Sequence, residues 1–249
     1  KSWLDHARRF AVEIISAMDL GKDSFVVEAA SNDGYLLRNF VEQQVPSLGI
    51  EPSRVAADLA RAQGISTLNE FLTPDVAKYV VKSHGKADLV LANNVLAHVP
   101  YPRDLLEALR ELVSTRGLII CEFAYLIDLI REQQFDTIYH EHFSYLSLQS
   151  VEEMGKSVGL TVVDAQPLGT HGGSLRVAFA IQGSVRASAV SVDVTKIRQM
   201  EINAKAASES TRLAFQNQTQ RQCTDLQRFL TEPHEAGSQV AANGAAAKG

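Results

Sequence analysis

Cysteine is nearly missing from this chain: there are two in 249 residues, Cys121 and Cys223. One lies in an apolar run and the other in a polar one, so they supply neither a disulfide framework nor a cysteine zinc cage. An excess of positive charge is missing too, with 24 Lys and Arg against 29 Asp and Glu and a formal net charge of -5. Nucleic-acid binding usually shows as clustered Lys and Arg, so no nucleic-acid partner is expected. No apolar stretch reaches the roughly 18 to 20 residues needed to span a bilayer, and the first residues carry no signal-peptide pattern. A cytoplasmic protein without membrane association is expected. What is abundant is apolar residues, 45% of the chain, enough for one large domain or for one domain and the start of another.

The apolar residues follow two periods. Trp3, Ala7, Phe10, Ala11, Ile14 and Met18 recur at helical spacing and predict a packing helix over 1–21, with Gly21 as its stop. Short strand-like runs then alternate with helical ones. Ser24 to Glu28, Leu48 to Glu51, Ile65 to Leu68, Ala87 to Ala92 and Gly117 to Phe123 read as strands, as do Leu160 to Asp164 and Ser174 to Ile181. Tyr35 to Val41, Arg54 to Gln63, Pro74 to Ser83, Leu105 to Val113 and Ser150 to Val158 read as helices. Such alternation predicts an α/β doubly wound, Rossmann-like domain over 22–182, with a mostly parallel sheet of about seven strands ending in a hairpin. Beyond it, 183–249 reads as a helical linker, with one long polar helix from Val194 to Leu230 ending near Pro233. The closing stretch from Gln239 starts like a strand and breaks off in a Gly-Ala turn, and its composition by itself reads as a disordered tail.

In an open α/β sheet, ligands bind at the carboxyl ends of the strands. The first strand-to-helix turn here is Glu28-Ala29-Ala30-Ser31-Asn32-Asp33-Gly34. It lacks the three glycines of a dinucleotide loop, and Asp33 would repel a diphosphate. Acidic residues at the ends of the first two strands, Glu28 and Glu51, instead suit the ammonium group of a methionine moiety and the hydroxyls of a ribose. That pattern points to S-adenosyl-L-methionine. Asn93 and Asn94 after the fourth strand are poor core residues, each with several hydrogen-bonding positions to satisfy, and at least one is expected to face the ligand.

Tyr139-His140-Glu141-His142 is the densest run of titratable residues. His98 follows the fourth strand, and His171-Gly172-Gly173-Ser174-Leu175-Arg176 leads into the last one. The glycines allow close backbone approach, and Arg176 offers a fork for phosphate or carboxylate, unless strand alternation turns it away from the pocket. His-x-His with a glutamate could hold a divalent ion. Methylating an activated carbon, however, needs a base beside a carbonyl and donors for the enolate oxygen, and imidazole suits the base.

The segments VVEAASNDGYLL (26–37), LGIEPS (48–53), ADLVLANNVLAHV (87–99), DTIYHEHFSYLSL (136–148) and HGGSLRV (171–177) together resemble the sugar C-methyltransferases, which act on thymidine-diphosphate-linked keto sugars. The resemblance covers nearly the whole chain and is most specific at YHEHFSY and HGGSLR. It implies that His142 is the general base, that Glu141 supports it, and that Tyr139 and His98 place the sugar and its enolate oxygen. It assigns Glu28, Ala30, Ser31, Asn32, Asp33, Gly34, Glu51, Pro52 and Asn93 to the cofactor, with Ala30 standing where such loops commonly carry glycine. His171, Gly172, Gly173, Ser174 and Arg176 are assigned to the nucleotide sugar. Family members also carry a cysteine-rich zinc domain, which this sequence lacks, and a C-terminal Rossmann-like domain whose opening NGAAAKG resembles. The same fold would also serve oxygen- or nitrogen-directed transfer, or binding without turnover.

Overall fold

The computed structural model describes residues 2–206, 208–237, 239 and 241. The expected strand and turn from Gln239 onward otherwise lie outside the described residues. Strand β1 (Val26–Ala29) lies in the middle of a sheet, pairing in parallel with β2 (Ser47–Ile50) on one side and β4 (Ala87–Asn93) on the other. Beyond β2 lies the two-residue β3 (Thr67–Leu68), and beyond β4 lies β5 (Val113–Ala124), both parallel. The hairpin of β6 (Leu160–Leu168) and β7 (Ser174–Ile181) closes the far edge, with β7 antiparallel to β5. The order is therefore β3-β2-β1-β4-β5-β7-β6, the mixed seven-stranded sheet that the alternation predicts. Strand order reverses between β1 and β4, which opens a crevice at their carboxyl ends.

Both faces of the sheet are covered, which is why its central strands read as continuous apolar runs. Val27, Val90, Ile119, Cys121, Val177 and Phe179 pack on one face against helices α4 (Pro74–His84), α5 (Pro102–Leu112) and α7 (Leu148–Ser157). Val26, Leu89, Leu91, Ile120 and Ala178 pack on the other against α1 (Ser2–Met18) and α2 (Leu37–Glu42). The α1 stripe buries Ala7, Phe10 and Ala11 as its helical spacing demands. Helix α3 (Arg54–Ala62) starts at Ser53, whose hydroxyl accepts the Ala56 N–H, and α6 (Leu126–Arg131) follows β5.

The predicted single helix from Val194 to Leu230 is two. Helix α8 (Val192–Ala204) ends where Lys205 turns left-handed at φ 49°, and α9 (Glu209–Glu235) restarts under a Ser208 cap. The break is hidden because alanine and lysine on either side favour helix, and only the serine cap marks the restart. Pro233 lies inside α9 rather than ending it, since so near the terminus its missing N–H removes only one of the last helical bonds. Among the described residues no helix is long and apolar enough to cross a membrane.

Strand β2 approaches the turn after β1 so closely that a Cβ on Gly49 would lie 2.3 Å from Ser31 Oγ and 2.9 Å from Ser31 Cβ. Gly49→Ala is expected to cost about 1–3 kcal/mol of stability through overpacking, read as a lower urea midpoint.

Candidate functional site

The turn after β1 is built by strain and close contact. Ala30 and Asn32 both adopt left-handed backbone, at φ 53° and 52°, a conformation that costs a side chain about 1–2 kcal/mol. Ala30 therefore occupies a position that glycine would fill without strain. At Gly34, φ is 78° and a Cβ would collide with Ile65. The Glu51 carboxylate holds the turn from the neighbouring strand: Oε2 accepts the Asn32 N–H at 2.9 Å and Oε1 the Ser53 N–H at 2.7 Å. One donor on each oxygen leaves acceptor capacity for a ligand hydroxyl. Asn69, which the sequence does not mark, donates to the carbonyls of Glu51 and Pro52. Asp33 accepts the Tyr35 N–H.

Glu28 is buried, and its Oε2 has no hydrogen-bond partner. Burial foremost, and then the charges of Glu51 and Asp33, raises its carboxyl well above the ordinary carboxylate range. Ser31 Oγ, Asn93 Oδ1 and Asn94 Nδ2 are also buried without partners. Buried polar atoms are normally paired, so four unpaired ones at the ends of β1 and β4 leave bonding capacity there that ligand atoms would complete. A carboxylate, amide groups and the Glu51 acceptor together fit a ligand with a cationic head and hydroxyls.

Glu28, Asn93, Glu122 and Arg176 alternate with core residues that face the other side, so all four point to the α1 face. Asn93 is in register with Glu122, and Glu122 with Arg176. Glu122 is fully buried and its carboxylate is held by Arg176 Nη2 at 2.9 Å, His6 Nε2 at 3.1 Å and Thr170 Oγ1 at 3.2 Å. The Arg176 guanidinium also lies over the Phe10 ring, 4.1 Å from its centroid. Arg176 is thus engaged with Glu122, not held out as an unoccupied fork. A cleft of about 640 Å³ opens beside it, lined by Trp3, His6, Gln166, Thr170 and Arg176 among others. Sequence reasoning missed Glu122 and His6. The carboxylate in the buried run GLIICEF was a readable signal for Glu122; an isolated histidine on a helix was none for His6.

The histidine run lies beside β4. The Phe143 N–H donates to the Ala97 carbonyl at 2.9 Å, and His98 Nδ1 lies 3.1 Å from the Glu141 carbonyl. Ala97 and His98 form the 3₁₀ turn that follows β4. The His98 and His142 rings meet edge to face at 4.7 Å. His142 Nδ1 is 2.8 Å from the Thr137 carbonyl, and the Tyr139 hydroxyl is 3.2 Å from His142 Nε2. A carbonyl only accepts, so Nδ1 carries a proton, and in the neutral ring Nε2 holds the lone pair. The group on Nδ1 is therefore the Thr137 carbonyl, and the Glu141 atom seen in this network is its backbone carbonyl. Among the described residues no three His, Cys, Asp or Glu converge as a metal-ligand set.

His171 and Gly172 belong to a 3₁₀ turn over Thr170–Gly172, with the His171 side chain outside the described residues. Gly173 has φ 126° and a Cβ there would strike Asp128, so only glycine fits. Ser174 is buried and donates to the Thr170 carbonyl at 3.1 Å.

A carboxyl whose folded pKa is raised stabilises the fold below its unfolded value, and that contribution is lost as pH rises through the higher folded value. Thermal melts across pH should therefore show the wild-type midpoint falling relative to Glu28→Gln from the ordinary carboxylate range upward, with the variant the more stable above it.

A family model described as a methyltransferase domain matches residues 3–165, and one described as a C-methyltransferase C-terminal domain matches residues 169–249. The chain is 36% identical over 179 residues to the C-methyltransferase NovU of Streptomyces niveus. That match takes in 72% of this chain and 42% of the relative, so the chain spans less than half of the relative's length. Among solved structures it resembles the magnesium protoporphyrin IX methyltransferase of Synechocystis, with TM-score 0.58 and 13% identity over 72% of this chain and 83% of that one. It also resembles the CcbJ methyltransferase of Streptomyces caelestis, with TM-score 0.57 and 13% identity over 71% and 90% of the two chains. These two likenesses concern the fold. With the methyltransferase-domain model spanning residues 3–165, the chain belongs to that methyltransferase family, and its last third matches the C-methyltransferase C-terminal domain.

Proposed function

We propose that the chain is the catalytic part of an S-adenosyl-L-methionine-dependent C-methyltransferase acting on a thymidine-diphosphate-linked keto sugar, with His142 as the general base. The observation that carries this reading is the tautomer fixed at His142: Nδ1–H donates to the Thr137 carbonyl, which leaves Nε2 as the proton acceptor beside the Tyr139 hydroxyl. When bound, the cofactor supplies an electrophilic methyl group. Glu28, Ser31 and Asn93 bring unpaired polar atoms to its head, Glu51 accepts from its hydroxyls, and Ala30, Asn32, Asp33, Gly34 and Pro52 shape the turn against it. Nε2 of His142 takes the proton next to the sugar carbonyl, Tyr139 and His98 stabilise the oxygen of the resulting enolate, and Glu141 supports His142. His171, Gly172, Gly173, Ser174 and Arg176 line the approach for the nucleotide sugar, with Arg176, held by Glu122, forming part of the cleft wall. The enolate carbon held there would form its new bond to the methyl group as the cofactor's sulfur–methyl bond breaks, with S-adenosylhomocysteine as the leaving group and the abstracted proton left on His142.

In this reading 1–21 is a packing helix, 22–182 the methyltransferase domain and 183–249 a linker into a C-terminal domain, and the protein works in the cytoplasm on a small molecule. Bearing on the carbon-directed chemistry are the relative's name and the match of 169–249 to the C-methyltransferase C-terminal domain.

His142→Ala should lower kcat about 10²- to 10⁴-fold, the usual contribution of general acid–base catalysis, while calorimetric affinity for S-adenosylhomocysteine stays unchanged. Unaltered turnover would remove His142 as the base. With a ¹³C-methyl cofactor, the product resonance should be that of a methyl on carbon; a methyl on oxygen or nitrogen would favour the alternative transfer, and binding without any product a non-catalytic module.

A further inference from the structure

Residues 126–147 leave the sheet after β5 and return to it at α7, and they carry Tyr139, Glu141 and His142 on the way. Both ends of this excursion meet at one side chain. Tyr125, the residue after β5, donates its hydroxyl to Glu201 Oε1 at 3.0 Å. Leu148 and Gln149, the first two residues of α7, donate their N–H groups to Oε1 at 2.6 Å and to Oε2 at 2.9 Å. The Leu126 N–H donates to the Leu146 carbonyl at 2.9 Å and narrows the neck further.

Glu201 belongs to α8. With Val194 and Ile197 it forms that helix's buried stripe, a carboxylate where the helical period calls for an apolar residue. Burying a carboxylate is costly unless donors surround it, and here three donors and the positive end of α7 do so. An apolar residue would fill the same space without that desolvation, but it could not gather donors from both ends of the excursion.

We infer that Glu201 is a positioning residue for the catalytic loop: its carboxylate closes the base of the 126–147 excursion and so fixes the reach of His142 over the edge of β4. This rests on His142 being the proposed base. The tip has its own ties to the turn after β4, through Phe143 to Ala97 and His98 to Glu141. A tip held on one side and a base held on the other leave the imidazole little lateral freedom. The cofactor residues on β1, β2 and β4 are outside this clamp. Loosening it therefore acts on the chemistry and spares cofactor binding.

Glu201→Gln in the full chain tests the inference, because the amide nitrogen cannot accept and one of the three donors loses its partner. Amide hydrogen exchange of residues 138–147 should accelerate by about tenfold or more, with 26–29 and 87–93 still protected, as local opening requires. Turnover should fall by about 10²-fold, the order expected of a displacement near 1 Å, at unchanged affinity for S-adenosylhomocysteine. Tyr125→Phe, which removes one donor and keeps the packing, should show the same pattern more weakly. Unchanged exchange at 138–147, exchange rising equally in every strand, or cofactor affinity lost in step with turnover would each overturn the inference. If the wild-type chain transfers no methyl group, the proposed function fails, and the exchange pattern alone decides whether Glu201 clamps the loop.

Discussion

A carboxyl buried at the end of β1 with one oxygen unpartnered is the constraint around which this molecule is arranged. Glu28 is buried at the strand-order reversal, with Glu51 and Asp33 adding repulsion. A fold selected for stability alone would place a leucine there or supply a cation. Instead the neighbouring strands add more unpaired polar atoms, on Ser31, Asn93 and Asn94. The left-handed residues Ala30 and Asn32 and the side-chain-free approach of Gly49 to Ser31 maintain the turn around them. Stability is given up at one place, and the apolar faces of the sheet offset it.

Two different polar arrangements share that edge. On the α1 face the charges are satisfied further along the row: Glu122 is held by Arg176, His6 and Thr170, which ties α1 and the β6–β7 hairpin to β5. That cluster is internally neutralised and gives a rigid wall. The histidines stand apart from it, on the excursion between β5 and α7 and the turn after β4. There Nδ1 of His142 and Nδ1 of His98 each face a backbone carbonyl, so main chain decides which nitrogen carries the proton. In the proposed reading, cofactor-facing groups sit on strand ends and the reacting groups on a loop clamped at its base.

The fold was legible in the chain because its signals are local. Apolar runs alternating with helical periods predict the sheet, its central strands and the closing hairpin. Glu28 was readable as a strand-end carboxylate, and the histidine run as a concentration of chemistry. The misreading at α8 and α9 arose from weak signals, since a break among good helix formers shows only as a serine cap. Other features depended on pairing at long range. Nothing in the sequence joins His6 to Glu122, 116 positions away, or Glu201 to the excursion that begins at Tyr125. Arg176 looked available for a ligand because its partner lies on an adjacent strand in register, and register is not visible in one sequence.

Proton exchange on ligand binding addresses the Glu28 site most directly. S-adenosylhomocysteine carries the ammonium group but no transferable methyl, so its binding reports the site without the reaction. Calorimetric titrations at mildly acidic to neutral pH, in buffers of different ionisation enthalpy, measure the protons released. If the ammonium group settles beside Glu28 and draws its raised pKa back down, the wild-type protein releases protons on binding and Glu28→Gln does not. Binding with the same proton balance in both proteins would contradict the placement of the cofactor's cationic end at Glu28.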